Sequence, residues 1–204
     1  MGLDGRRFGI CPLPRERVYF YCTAPLGKWQ GTVRDHLEEW IEGWRGFGPE
    51  VLAVLRAVPD WERVLYDELH EVVLNRWYRV PAFIVGDAAH AMTPNLGQGA
   101  NCAMVDALVL MRLLARALKS GESLDAVGRT YESLRRPFVT RIQREARRLG
   151  VLAGWSAAPA RLLRNAILSL APMAGPLMRR SMLVTAGYNP AEEPYFRLVE
   201  PEVL

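Results

Sequence analysis

Val80-Pro81-Ala82-Phe83-Ile84-Val85 runs without a break into Gly86-Asp87-Ala88-Ala89-His90-Ala91-Met92-Thr93-Pro94-Asn95-Leu96-Gly97-Gln98-Gly99-Ala100-Asn101. The first six residues are apolar or β-branched and stop at a Gly-Asp pair. That pattern predicts a buried strand that delivers its carboxyl end to a site. The stretch after it is a loop whose glycines stand where backbone must come close to something. From Asn101 onward Met104, Leu108, Met111, Ala115 and Leu118 recur on one helical face, which predicts a helix packed on the core along that stripe. The order is strand, glycine-rich loop, helix. Such a unit turns unpaired backbone N–H groups and the positive end of a helix dipole toward a ligand.

Upstream of this unit, Phe8 to Ile10 and Val18 to Tyr21 are short β-prone runs separated by a segment containing Pro12 and Pro14, the pattern of a hairpin. Thr32 and Asp35 have the spacing of a capping box, and Leu37, Trp40, Ile41 and Trp44 then follow at helical spacing until Gly46 and Gly48. A second short helix is expected after Pro49. Val64, Tyr66 and Glu68 alternate with Leu65, Asp67 and Leu69, which predicts another strand. Downstream, Arg141, Arg144 and Arg148 share a face opposite Phe138, Ile142 and Leu149, as expected of a solvated helix side. Trp29, Trp40, Trp44 and Trp77 are read as core aromatics, although they could also line a pocket.

Composition bounds the function. The chain has 204 residues, half of them apolar, enough to bury a core. Lys and Arg exceed Asp and Glu by 26 to 22, a net charge of +4, too mild to argue for nucleic acid. Cys11, Cys22 and Cys102 form no C-x-x-C pair and are odd in number, so neither a disulfide framework nor a zinc site is suggested, and a reducing cytoplasm is expected. His36, His70 and His90 lack metal-ligand spacing, and no metal is expected. No run of 18 apolar residues occurs, and the least polar stretch, Asn165 to Met178, is broken by Pro172 and Pro176; a soluble protein without a transmembrane segment is expected.

Gly86-Asp87-Ala88-Ala89-His90, then Pro94, Gly97-Gln98-Gly99 and Asn101, with Asp106 further along the helix, resembles the second FAD-binding motif of the class A flavin-dependent aromatic hydroxylases, which share the para-hydroxybenzoate hydroxylase fold. Tyr131 to Pro137 is similar to the stretch that follows in these enzymes. The resemblance covers residues 6 to about 150. It implies an α/β fragment: antiparallel strands from a substrate domain in 1–79, the last strand and long helix of the FAD domain in 80–150, and a helical tail in 151–204.

The resemblance also implies roles. Gly86 and Asp87 would bind cofactor, with the Asp87 carboxylate accepting a hydrogen bond from a ribitol hydroxyl. Pro94 would sit beside the flavin ring near the site of oxygen transfer, as the catalytic position. Gly97 and Gly99 would let the loop lie against the ring, and Ala100 and Asn101 would offer backbone N–H groups to the pyrimidine oxygen. In such enzymes NAD(P)H reduces the flavin, and a flavin hydroperoxide passes oxygen to an aromatic or other small organic substrate. Taken singly, Asp87 is equally a turn cap and His90 a structural hydrogen-bonding residue; the whole string is what favours a ligand.

The family's opening strand, G-x-G-x-x-G turn and helix, which bind the FAD pyrophosphate, have no counterpart here. Gly97-Gln98-Gly99-Ala100-Asn101-Cys102 begins like the fingerprint but lacks the third glycine. The chain is therefore expected to be the C-terminal half of an FAD-dependent monooxygenase, inactive alone. It would be completed by a separately encoded N-terminal half or be a truncated reading frame of one. The alternative is a non-catalytic remnant or interaction module that retains the fold.

Overall fold

The computed structural model describes residues 4–25 and 36–170. Thr32, Asp35 and Trp29, the tail beyond Leu170, and Pro172 and Pro176 lie outside the described residues. Two compact units are present, one within Met1–Glu68 and Val151–Ser169, the other built on Leu69–Gly150. The first of these units takes the chain as far as Glu68 before the second begins at Leu69.

In the first unit the expected hairpin forms. Strand β1, Arg7–Leu13, pairs antiparallel with β2, Arg17–Thr23, in the register Arg7↔Thr23 to Leu13↔Arg17. Helix α1, Leu37–Glu42, ends before Gly46, because Trp44 to Phe47 tighten into a 3-10 turn that closes at Gly48. Helix α2, Pro49–Arg56, starts on the predicted proline, whose missing N–H is one the first helical turn leaves unbonded in any case. Trp40, Ile41, Trp44, Val51 and Leu55 make the core, with Phe8 and Phe20 of the hairpin stacked 5.7 Å apart against it. Helix α6, Ala158–Leu170, belongs to this unit up to Ser169 and is tied to the chain by Arg164, which donates to the carbonyls of Ala153 and Trp155.

The strand expected over Val64 to Leu69 does not form. The segment has no ladder partner among the described residues, and Leu65 is 97% exposed. Alternation alone cannot make a strand without an edge to pair with.

The second unit holds the motif. The predicted buried strand Val80 to Val85 is reduced to a two-residue hairpin: β3, Tyr78–Arg79, pairs with β4, Ala82–Phe83. Val80 and Val85 are exposed, since burial on both faces requires a layer on each side. Here the layer that touches the strand is a helix, whose Tyr131 hydroxyl donates to the Ile84 carbonyl at 3.0 Å. A four-residue turn, α3 (Asp87–His90), and a 3-10 turn at Pro94–Leu96 lead to α4, Gly99–Ser120. Helix α4 begins two residues before the predicted Asn101 and ends on left-handed Gly121, the usual position for a glycine that closes a helix. Ser123 starts α5, Leu124–Gly154, by accepting from the Ala126 N–H; α5 runs through Pro137, which is exposed.

The core joins Ala89, Cys102, Val109, Leu113 and Ala117 to Trp77, Val127, Tyr131, Val139 and Ile142. This reverses one expectation. The stripe predicted to pack is the outer one: Met104, Met111 and Leu118 are 63%, 59% and 88% exposed, while Cys102, Asp106, Val109, Leu113 and Ala117 face inward. The two faces are offset by two residues, about 200° around the helix, and both are largely apolar. Periodicity cannot rank them. The buried ion pair described below does.

Candidate functional site: a glycine-rich loop held from behind by a buried carboxylate

Asp106 is the hub of the loop. It is fully buried on α4, and its Oδ2 accepts from His90 Nε2 at 2.6 Å and from the Gly86 N–H at 3.0 Å. Its Oδ1 accepts from Arg135 Nε on α5 at 2.7 Å, and Arg135 also donates to the Cys102 carbonyl at 3.1 Å. Burial pushes the Asp106 carboxyl upward. The hydrogen bond from His90, the Arg135 charge and hydrogen bond, and the Gly86 N–H outweigh it and hold the group below the ordinary carboxylate range. The carboxylate can only accept, so His90 Nε2 carries the proton. The imidazole is wedged against Trp77, ring centres 5.1 Å apart, and against solvent it is closed. Tyr131, buried against the same group, has its hydroxyl pushed well above its usual range, by burial first and by the Asp106 charge second.

Two further bonds pin the loop to α5, and a third ties Val72 to the same helix. Gln143 donates to the carbonyls of Val72 and Ala91 at 2.7 and 2.8 Å. Asn95 donates to the Ala146 carbonyl at 2.9 Å and to Thr93 Oγ1 at 2.9 Å. Tyr131, Arg135, Gln143 and Ala146 therefore form one bonding edge along α5, and the loop is a fixed surface.

On the outer side of that surface stand the residues singled out from sequence. Gly86 is the exception: it is buried, at φ 60° and ψ −142°, a region open in practice only to glycine, and an added Cβ would lie 3.1 Å from the Ala103 Cβ. Asp87 follows it and is exposed. Pro94, Gly97, Ala100 and Asn101 are exposed, and Gly99 is half-buried. Gly97 is left-handed at φ 64°, turning the chain from the 3-10 turn into α4. Gly99 sits in the first turn of α4, where a Cβ would lie 3.9 Å from Asp87 Oδ1, so the carboxylate and the helix start are neighbours.

The start of α4 has neither a side-chain cap nor an acidic residue in its first turn, and its first bond to a preceding carbonyl is from Cys102 N–H to Gln98. The N–H groups of Gly99, Ala100 and Asn101 precede that bond, at the positive end of a 22-residue helix. An anion or a carbonyl oxygen placed there meets donors, and a hydroxyl placed beside Asp87 meets an acceptor.

Arg135, Gln143 and the buried role of Asp106 were not singled out from sequence. A charged residue inside an apolar helical stripe, Asp106 between Cys102 and Val109, was the available signal. Among the described residues no group of three His, Cys, Asp or Glu could hold a metal, and no helix is long and apolar enough to cross a membrane.

The chain belongs to the FAD binding domain family, whose profile matches residues 3–146. It is 27% identical over 176 residues to 2-heptyl-3-hydroxy-4(1H)-quinolone synthase of Pseudomonas aeruginosa, covering 83% of this chain and 44% of the relative. It is 32% identical over 139 residues to the FAD-dependent urate hydroxylase of Klebsiella oxytoca, covering 65% and 34%. Among solved structures, Klebsiella pneumoniae HpxO complexed with FAD and uric acid aligns with a TM-score of 0.65 at 27% identity, over 79% of this chain and 42% of that one. The relatives are class A FAD-dependent monooxygenases, and the chain spans less than half the length of each of these three.

Proposed function

We propose that this chain is the flavin-facing half of an NAD(P)H-dependent FAD monooxygenase acting on an aromatic or other small organic substrate, and that an N-terminal half, separately encoded or otherwise supplied, completes it. The observation that carries the reading is the loop itself: Asp87, Pro94, Gly97, Ala100 and Asn101 are displayed outward while Asp106, Arg135 and Gln143 fix the backbone behind them. The residues present fit FAD, because the cradle offers one free carboxylate beside an uncapped helix start.

Asp87 would hold a ribitol hydroxyl, a charge-assisted bond. The N–H groups of Ala100 and Asn101 would hold the pyrimidine carbonyl edge of the flavin, and Pro94 would lie at the ring's reacting side. The helix dipole favours negative charge at that edge by about 0.3–2 kcal/mol, roughly 0.2–1.5 pKa units, so it biases the anionic form and the direct N–H bonds add to it. FAD, when bound, supplies the redox and oxygen-transfer chemistry. The part of this chain is to bind and orient it.

The test is FAD binding by the purified chain, alone and with an N-terminal half that carries a G-x-G-x-x-G unit. Weak or absent binding alone, and a yellow stoichiometric complex once completed, are expected. Stoichiometric FAD copurifying with the chain alone would defeat the requirement for a second half; a completed complex that stays colourless would defeat the flavin reading.

A further inference from the structure

Helix α6 is mounted with its charged side inward. At about 100° per residue, its polar residues Arg161, Arg164, Asn165 and Ser169 gather on one side, and Pro159, Leu162, Leu163, Ala166, Ile167 and Leu170 share an arc of about 140° on the other. Those six are all exposed, Leu162, Leu163 and Leu170 by more than half, whereas Arg164 is buried. A surface helix ordinarily shows the reverse order.

Arg164 is the cause. Its guanidinium donates to the carbonyls of Ala153 at 3.3 Å and Trp155 at 2.9 Å, at the negative end of α5, and to Asn165 Oδ1 at 3.1 Å. A buried cation is held only while such bonds satisfy it. Half a turn about the α6 axis would bury the leucines, and it would take Arg164 away from those carbonyls. The bonds of Arg164 therefore fix the apolar arc outward, where its side chains stand exposed among the described residues.

Two observations favour lipid over protein as the cover of this arc. The arc carries no hydrogen-bonding side chain for a protein partner to read, and a helix of 13 residues is too short to span a bilayer but has the length of an interfacial segment. Charge supplies the second observation. All six charged residues between Ala146 and Pro190 are arginines, while the rest of the chain is net acidic. The net positive charge of the protein is thus gathered in the stretch of sequence that holds α6, and it complements acidic headgroups.

We propose that α6 seats the protein on an anionic membrane surface, its axis in the membrane plane and Leu162, Leu163, Ile167 and Leu170 at the boundary of headgroups and acyl chains. The attachment is peripheral and independent of the flavin reading.

The test is cosedimentation of the full chain with vesicles of equal parts phosphatidylcholine and phosphatidylglycerol, and with vesicles of phosphatidylcholine alone. Binding to the mixed vesicles is expected, weakened by added salt and roughly tenfold weaker without the anionic lipid. The double variant Leu163→Glu, Ile167→Glu puts two carboxylates on the exposed arc and should lose roughly tenfold or more of the binding, with the circular dichroism of the wild type. The double variant Met111→Glu, Leu118→Glu, on the exposed side of α4, should bind as the wild type does. Hydrogen exchange of the unaltered chain gives a second reading: vesicles should protect the amides of α6 and leave those of α1 and α2 unchanged. Failure to sediment, equal binding to phosphatidylcholine alone, equal binding by the α6 variant, or protection confined to residues outside α6 would overturn the proposal. A dimer in light scattering that the α6 variant dissociates, with vesicles left unbound, would also overturn it and give the face to a second copy of the chain.

Discussion

Asp106→Asn keeps the shape of the hub and removes its charge. Asp106 and Arg135 are 0% and 1% exposed, and their 2.7 Å contact is a fully buried ion pair. Removing one member of a buried pair costs about 3–5 kcal/mol, because the other charge stays desolvated. For a chain of this size that is a fall of roughly 6–20 °C in melting temperature, at about 2–4 °C per kcal/mol. The pH dependence follows from the direction of the shift. A carboxyl held below its ordinary value stabilises the fold above its unfolded pKa of about 3.9, and the contribution is lost as pH falls below that value through the folded one. Thermal unfolding of wild type and variant, followed by circular dichroism at pH 7 and at pH 3, should therefore show a large gap that narrows in acid. A gap under about 2 °C at neutral pH, or one equally wide in acid, would refute the claim that the buried charge pair holds the loop.

Asp87→Ala is expected to leave thermal stability within about 0.5 kcal/mol of wild type, as for exposed positions generally, while weakening FAD retention in the completed enzyme; normal FAD retention, or an equal loss of apo stability, contradicts its assignment. Gly86→Ala should cost about 1–3 kcal/mol from its backbone conformation, with the 3.1 Å approach to Ala103 adding to it, and a neutral result in thermal unfolding would show that the loop can relax. Burial pushes the Cys22 thiol up to about 11, so at pH 8 only about 0.1% of it is thiolate; iodoacetamide should modify exposed Cys11 well before Cys22, with buried Cys102 last, and equal rates by mass spectrometry would show that Cys22 is not shielded.

The class of the chain was legible in its sequence because the motif from Gly86 to Asn101 is contiguous. A loop that must bring several backbone groups to one ligand writes its glycines, proline and carboxylate within a few residues of each other. The hairpin, the proline-started α2 and the long helix after the loop were legible for the same local reason: turn residues and helix starts act within a few positions. What depends on residues far apart was not. The bond from Arg135 to Asp106 spans 29 positions, and that from Gln143 to Ala91 spans 52. Which face of α4 is buried was decided by those partners and not by its apolar period, which fits either face. The runs at Val64 and Val80 likewise carried the β-prone residues of strands, but a strand exists only where a neighbouring edge supplies its hydrogen bonds. Sequence alone sets the local preferences and the chemistry on offer; the packing of α5 behind the loop decides which groups are buried and which face outward.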